Sequence, residues 1–596
     1  MTATQGLHFL RPFIFGPMAK KETAYARFFS ATCSISQYQR DVSIRKPRAG
    51  PVVARERERA KELRRSGVKN QPKSERDDRI QRLKEHDALQ YPRISSHESR
   101  MYIPEFRKTY QDVTTSAPAL EEVILQGRIM SIRTSGAKLV FVDLTADFEK
   151  AQVMFDIRSI PVKPMEFKCA FHPLLRGDNI SVTGTPTRTS TGELTLKATA
   201  LPQLLSPSVA PLPEKLVNEE TKILNRHVDL LVNRETADIL RLRSHVVKRM
   251  RDFFHERDFL EVQTPMLADY AGGAAARPFL TSATEFPSKE LALRIAPELW
   301  LKRLVVGGMN RVFEIGTAFR NEGLDTTHNP EFTICEFYSA FTNLQDLIAM
   351  TEALMSYLLE YTRELKESAL PTLEIPDIEM PSEGGWEQVE FIPALEEALD
   401  IKFPDLSAPD ALEQLTELIK DVTPPPPTQV SLNKLLDHLA STYLESASLA
   451  GPPLFVTHHP ACMAPLAKSF TCPRTGQLVS ARAELFVAGR EIANMYEEEN
   501  DPFEQRRKFE AQVRERARSA GDGEEGDEGQ ARVDESYVQA LEHGLPPTGG
   551  WGCGVDRLVM LLSGAARISD VLTFGSLRNV VSLGGQATAA TAAAKK

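Results

Sequence analysis

The sequence predicts an α+β chain in which a small closed β-barrel precedes a larger domain built on an antiparallel sheet flanked by helices. Three observations carry this expectation. Between about 121 and 205 lie five short β-favouring runs, Val123 to Ile132, Lys138 to Leu144, Ala151 to Phe155, Asn179 to Thr185 and Glu193 to Ala198, punctuated by Gly127, Gly136, Gly177, Gly184 and Gly192. A helical stretch, Arg234 to Arg257, repeats apolar residues at Ile239, Leu242, Val246, Val247, Met250, Phe253 and Phe254 and runs into the strand-like Phe259 to Pro265. A long hairpin follows: Val312 to Phe319, a loop marked by Gly323, Asp325, Asn329 and Pro330, then Glu331 to Tyr338. The 596 residues suffice for two or three domains, and 42% apolar content supports their cores.

Composition narrows the function classes. A net charge of -9 argues against a generally basic nucleic-acid binder and confines any RNA contact to a local surface. The six cysteines, at 33, 169, 335, 462, 472 and 553, form no Cys-x2-Cys pair, which points to a reducing compartment without a disulfide scaffold or a zinc cage. No apolar run approaches the roughly 20 residues of a membrane span, so no membrane partner is expected.

Residues 1–48 carry eight Lys and Arg against Glu22 and Asp41, with Ser, Thr and Ala between short aromatic clusters, and fit a transit peptide. Arg27-Phe28-Phe29-Ser30 resembles a mitochondrial processing site, which implies the mitochondrial matrix; a disordered basic tail is the alternative. Residues 49–118 form a charged extension, dense in alternating charge after Ala54. It reads as a solvated helix, with contact to a nucleic-acid backbone as a second possibility. Residues 119–206 are the barrel, of the OB kind, which binds single strands by stacking bases on aromatic side chains. Pro202, Pro207, Pro211 and Pro213 stiffen the exit from the barrel into the larger domain, 207–578. That domain contains a segment of about 365–450 with two acidic amphipathic helices and the Pro424–Pro427 spacer, in which no chemistry is legible. Ser519 to Glu535 is an acidic Gly-rich loop, and 579–596 an Ala- and Thr-rich tail expected to be disordered.

The hairpin concentrates polar chemistry. Period-two geometry puts Phe332, Ile334, Glu336 and Tyr338 on one face, with Arg320, Glu322 and His328 at its open end. Taken alone, such a cluster is an ordinary solvated tip with weak ion pairs; the chemical reading is a nucleotide site. The string Phe319-Arg320-Asn321-Glu322-Gly323, followed by His328-Asn329-Pro330-Glu331-Phe332-Thr333, resembles motif 2 of the class II aminoacyl-tRNA synthetases in its lysyl form. The Arg234 to Pro265 segment resembles motif 1, which implies a homodimer, and Gly552-Cys553-Gly554-Val555-Asp556-Arg557 resembles motif 3. Glycines there let backbone approach a ligand, and the helix that follows offers its N-terminus to anions.

The resemblance covers roughly 120–580 and implies a lysine-tRNA ligase: lysine and ATP give lysyl-adenylate, and the lysyl group passes to tRNA(Lys). It implies Arg320, Glu322 and Arg557 as catalytic residues, and ATP held by Arg320, His328, Phe332 and Arg557. It also implies magnesium on Glu484 and Glu491, expected to face each other across a hairpin, and hard oxygen ligands suit that ion. Lysine would meet Gly273, Glu298, Glu336, Tyr338, Asn494, Tyr496 and Glu498. The run Glu497-Glu498-Glu499-Asn500-Asp501 is more acidic than the family's usual form, leaving open which glutamate turns inward. In the barrel, Phe141, Gln152 and Glu193 would read the anticodon, although a lone phenylalanine is more often core. Three rivals remain. An aspartyl or asparaginyl synthetase would want cations in its pocket; a non-catalytic tRNA-binding paralogue typically lacks the motif arginines; and a ligase of lysine to a protein factor usually lacks the barrel.

Overall fold

The computed structural model describes residues 75–581 except 95, 115–118, 270–271, 273–275, 379–384, 421–429, 450 and 520–532, with backbone alone for 515–519. The expected transit segment, the extension as far as 74, Gly273, Pro424–Pro427, most of the acidic loop and the tail beyond 581 lie outside the described residues.

Strands Val123–Ser135, Leu139–Ala146, Glu149–Asp156, Leu194–Ala198 and Asn179–Arg188 pair in that spatial order. The last pairs back onto the first, closing a five-stranded barrel. Alternation explains the closure. Val140, Val142 and Leu144 point inward with Val153, Phe155, Ile180, Val182 and Leu196, while Phe141 and Asp143 point out. Helices Ile103–Thr109 and Pro164–Phe171, not evident from the sequence, plug the core with Phe106 and Phe167.

The charged extension is more than a solvated helix. In Glu75–Glu85, Leu83 and Arg79 are buried, and the Arg79 guanidinium donates to both oxygens of buried Asp178 at 2.8 and 2.9 Å and to the Ser208 carbonyl. That pair fastens the helix to the barrel wall.

The larger domain is built on an eight-stranded sheet. Its spatial order is Glu387–Glu390, Leu454–Thr457, Arg482–Val487, Arg490–Glu497, Thr548–Gly554, Glu331–Ala340, Arg311–Phe319 and Leu260–Glu261. Only the two outermost pairings are parallel. Helices Arg234–His255, Leu344–Ser368 and Val555–Ser563 cover one face, where Phe254, Phe313, Phe337 and Trp551 form a ring-packed core. Phe337 and Trp551 stack with centroids 5.1 Å apart. The other face carries Glu336, Tyr338, Asn494 and Tyr496 and is partly closed by helices Glu298–Val306 and Glu535–Leu541. Helices Phe391–Leu399, Ala411–Leu418 and Leu432–Tyr443 build a separate apolar cluster beside the far edge of the sheet.

Candidate active site

One cavity of about 1980 Å³ lies on the polar face of the sheet and reaches from Arg320 and Arg557 at one side to Glu298, Tyr338 and Tyr496 at the other. The hairpin supplies its floor because period two turns Phe332, Ile334, Glu336 and Tyr338 to the same side. Arg294, 2% exposed, fixes the hairpin's first strand: it donates to Glu314 at 2.6 Å and to the Thr317 carbonyl at 2.8 Å. Asp556 does the same for the second, accepting from the Thr333 backbone amide at 2.8 Å and from Arg243.

At the open end Arg320 lies over the Phe332 ring, 5.1 Å from its centroid, and its buried Nε has no partner. His328 bridges Asp325 at 2.7 Å through Nδ1 and Arg557 at 2.7 Å through Nε2. Backbone and His328 hydrogen bonds outweigh desolvation and hold Asp325 down to about 2. Glu322 is exposed at the rim. Arg557 also reaches Glu491 at 3.3 Å.

Glu484 and Glu491 both line the cavity, although not as the expected cross-strand pair. Counted from the turn, Glu491 is opposite Phe486, two residues along from Glu484, and a one-residue bulge between Leu485 and Phe486 then puts Glu484 opposite Asn494. Glu484 binds Arg482 and, at 3.1 Å, His459; despite burial, these hold its carboxyl at about 2. Burial and the neighbouring Glu484 push Glu491 upward, and burial raises Asp437 and Glu445 from the adjacent helical segment. Asp437, Glu445, Glu484 and Glu491 all line this part of the cavity, and carboxylate oxygens suit a hard cation. Among the described residues no three metal-ligating side chains converge on one point.

At the closed end Glu298 accepts from Tyr496 at 2.7 Å and from Lys302 at 2.7 Å. Tyr338 donates to Glu336 at 3.1 Å. Burial, reinforced by Glu298, pushes Glu336 to about 8, while burial and Glu298 hold both phenols well above their ordinary value. Asn494 lines the wall, its carbonyl held by Arg482 at 3.0 Å. The acidic run sorts itself by partner. Glu497 accepts from the Leu344 amide at the start of a helix, and Glu499 pairs with Lys508 at 2.7 Å. Glu498, 1% exposed, turns to Lys302 just beneath the cavity lining. A Cβ on Gly550 would overlap the Glu498 carboxylate and the Tyr338 ring, so only glycine fits there. Of the expected lysine contacts, only Gly273 lies outside the described residues.

On the barrel, Phe141 and Gln152 are part-exposed on the outward face of neighbouring strands. Gln152 accepts from Thr195 at 3.0 Å, two residues from part-exposed Glu193, so the three candidates share one wall.

Comparison with known proteins agrees with this geometry. Residues 218–578 match the family described as tRNA synthetases class II (D, K and N), and 123–204 match the OB-fold nucleic acid binding domain. The mitochondrial lysine-tRNA ligase of Schizosaccharomyces pombe is 43% identical over 502 residues, 82% of this chain and 91% of its own. The chain belongs to the lysine-tRNA ligase family of class II synthetases. A lysine-tRNA ligase of Listeria monocytogenes is 38% identical over 77% of the chain and 87% of its own length. One from Cladosporium cladosporioides is 38% identical over 85% and 84%. Among the described residues of this synthetase no helix is long and apolar enough to cross a membrane.

Lys302, His459, Arg482 and Arg294 are passed over when the sequence is read alone. The signal for Lys302 was present: Glu298 and Lys302 are four apart on a helix whose Leu299, Leu301 and Val305 are buried. Arg482 and Glu484 are two apart on one strand and share its face, whereas His459 reaches Glu484 only through the fold.

Proposed function

We propose that this synthetase activates lysine with ATP and transfers it to tRNA(Lys). A pocket rich in carboxylates, Glu298 and Glu336 with Glu498 beneath, adjoining the arginines Arg320 and Arg557, carries the reading. Two ammonium groups entering a closed site need carboxylate partners, since an unpaired buried charge is costly; an aspartate or asparagine side chain would meet carboxylates there, with the Lys302 ammonium already held by Glu298 and Glu498.

An oxygen of the lysine carboxylate attacks the α-phosphorus of ATP, the bond to the bridging oxygen breaks, and pyrophosphate leaves. A carboxylate is already nucleophilic at neutral pH, so the protein contributes alignment and charge stabilisation. Arg320, with an unpartnered Nε, meets the α-phosphate and substrate carboxylate, with Glu322 at the rim beside it. Phe332 supports the adenine, and Arg557 with His328 takes the terminal phosphates. Magnesium on Glu484 and Glu491 would neutralise phosphate charge. A terminal ribose hydroxyl of the tRNA then attacks the lysyl carbonyl and AMP leaves.

Phe141, Gln152 and Glu193 on the barrel wall read the anticodon. The exposed apolar residues Leu260, Met309 and Phe341 around a second cavity of about 530 Å³ support a homodimer through the edge strand. The basic N-terminus and the mitochondrial relative support import into the mitochondrial matrix. Pyrophosphate exchange with each amino acid in turn tests the substrate: lysine alone should support it, and exchange with aspartate or asparagine, or none at all, overturns the reading.

A further inference from the structure

The reaction as drawn leaves Lys302 unused. Its ammonium is fully buried, 0% exposed, at the closed end of the amino-acid pocket. It donates to Glu298 at 2.7 Å and contacts Glu498. The rings of Tyr496, Tyr338 and Tyr537 stand 5.7, 5.8 and 5.9 Å away. These groups come from every element around it: Glu298 from its own helix, Glu336 and Tyr338 from the hairpin, Tyr496 and Glu498 from the strand Arg490–Glu497 and its exit, and Tyr537 from the helix Glu535–Leu541. Glu499 is engaged by Lys508 and stays outside the cluster. Burying an ion costs several kcal/mol unless it is paired. Burial alone would lower the Lys302 pKa, and Glu298 and Glu498 more than reverse that.

We propose that Lys302 is a specificity-determining residue, a resident ammonium that matches one of the three pocket carboxylates and leaves two for the two ammonium groups of the substrate. The proposal rests on the lysine-pocket reading above. An amino acid with one ammonium leaves a carboxylate unmatched, and an unmatched buried charge is rejected. Without Lys302 the empty pocket holds three carboxylates with no resident cation and takes up protons that the substrate must then expel.

The test is pyrophosphate exchange by Lys302→Met at pH 7 and pH 9, with calorimetry in two buffers to count protons released on lysine binding. The lysine KM should rise about tenfold or more over the parent at pH 7, the size of a one-unit shift in a carboxylate. The ratio should narrow at least threefold by pH 9, the ATP KM should stay within about twofold, and more protons should be released per lysine bound. A rise equal at both pH values, or no rise, overturns the proposal. Should the single variant not fold, Lys302→Met/Glu498→Gln orphans neither member of that pair. Compared with Glu498→Gln alone, where Lys302 leaves one carboxylate for two ammonium groups, the double variant again leaves two, so its lysine KM should be lower, and a KM that is equal or higher counts against the proposal. Glu298→Gln separates the two levels: an unchanged lysine KM there defeats the pocket reading itself, whereas a raised KM with a pH-flat Lys302→Met defeats only the role of Lys302.

Discussion

Glu298→Gln is the most direct probe of the amino-acid pocket. The substitution keeps shape and the ability to accept from Tyr496, which lies 2.7 Å away, but removes the charge facing the cavity. A hydrogen bond to a charged group contributes about 1.5–3 kcal/mol. At about 1.4 kcal/mol per decade, the lysine KM should rise roughly 10- to 100-fold. Arg320 and Arg557, the groups proposed to hold ATP, are at the other side of the cavity, so the ATP KM should change less than about threefold. Steady-state pyrophosphate exchange, varying each substrate at saturating levels of the other, gives both numbers. Equal increases for lysine and ATP, or a fall in kcat with both KM values unchanged, would refute the assignment.

Four further outcomes follow from the geometry. Glu336 is held at about 8, so below that pH lysine must expel a proton from it. Lysine affinity should therefore rise between pH 6 and 8, and Glu336→Gln should flatten that rise in calorimetric titrations. The same raised value means the fold favours the protonated carboxyl, so stability from this group is lost as pH rises through about 8, and the Gln variant should melt higher relative to the parent at pH 9 than at pH 6. Arg79→Met leaves Asp178 a buried unpaired charge and should cost about 3–5 kcal/mol in urea unfolding followed on the barrel. Phe141→Ala should weaken tRNA binding by about 1–3 kcal/mol, read as tRNA KM in aminoacylation, and leave pyrophosphate exchange unchanged.

Much of the architecture was legible because its periodicity is local. The barrel strands alternate residue by residue, and the motif hairpin carries its turn residues in sequence, so elements and facing followed directly. The helices Ile103–Thr109 and Pro164–Phe171 escaped because seven or eight residues give too few turns for a periodic signal. The bulge at Leu485 and Phe486 is a property of pairing and cannot be read from one strand; counting from the turn puts Glu491 opposite Phe486, and the bulge moves the partner of Glu484 from Ala493 to Asn494. The run Glu497-Glu498-Glu499 is three identical side chains in sequence, yet the fold gives each its own partner: a helix start, Lys302 and Lys508. Composition cannot separate them, and only the packed partners distinguish a cap, a pocket group and a structural ion pair.

The helix Arg234–His255 joins two distant surfaces. Near its start Arg234 and Arg241 hold the ring of Phe148, the hairpin tip of the barrel wall that bears Phe141 and Gln152. Two residues beyond Arg241, Arg243 binds Asp556 and Thr333, the immediate neighbours of Arg557 and Phe332. The turn that carries Arg241 and Arg243 thus serves as a common datum for the barrel and for the Arg320 and Arg557 end of the cavity. Moving the barrel hairpin without disturbing that turn requires Phe148 to leave its two arginines first.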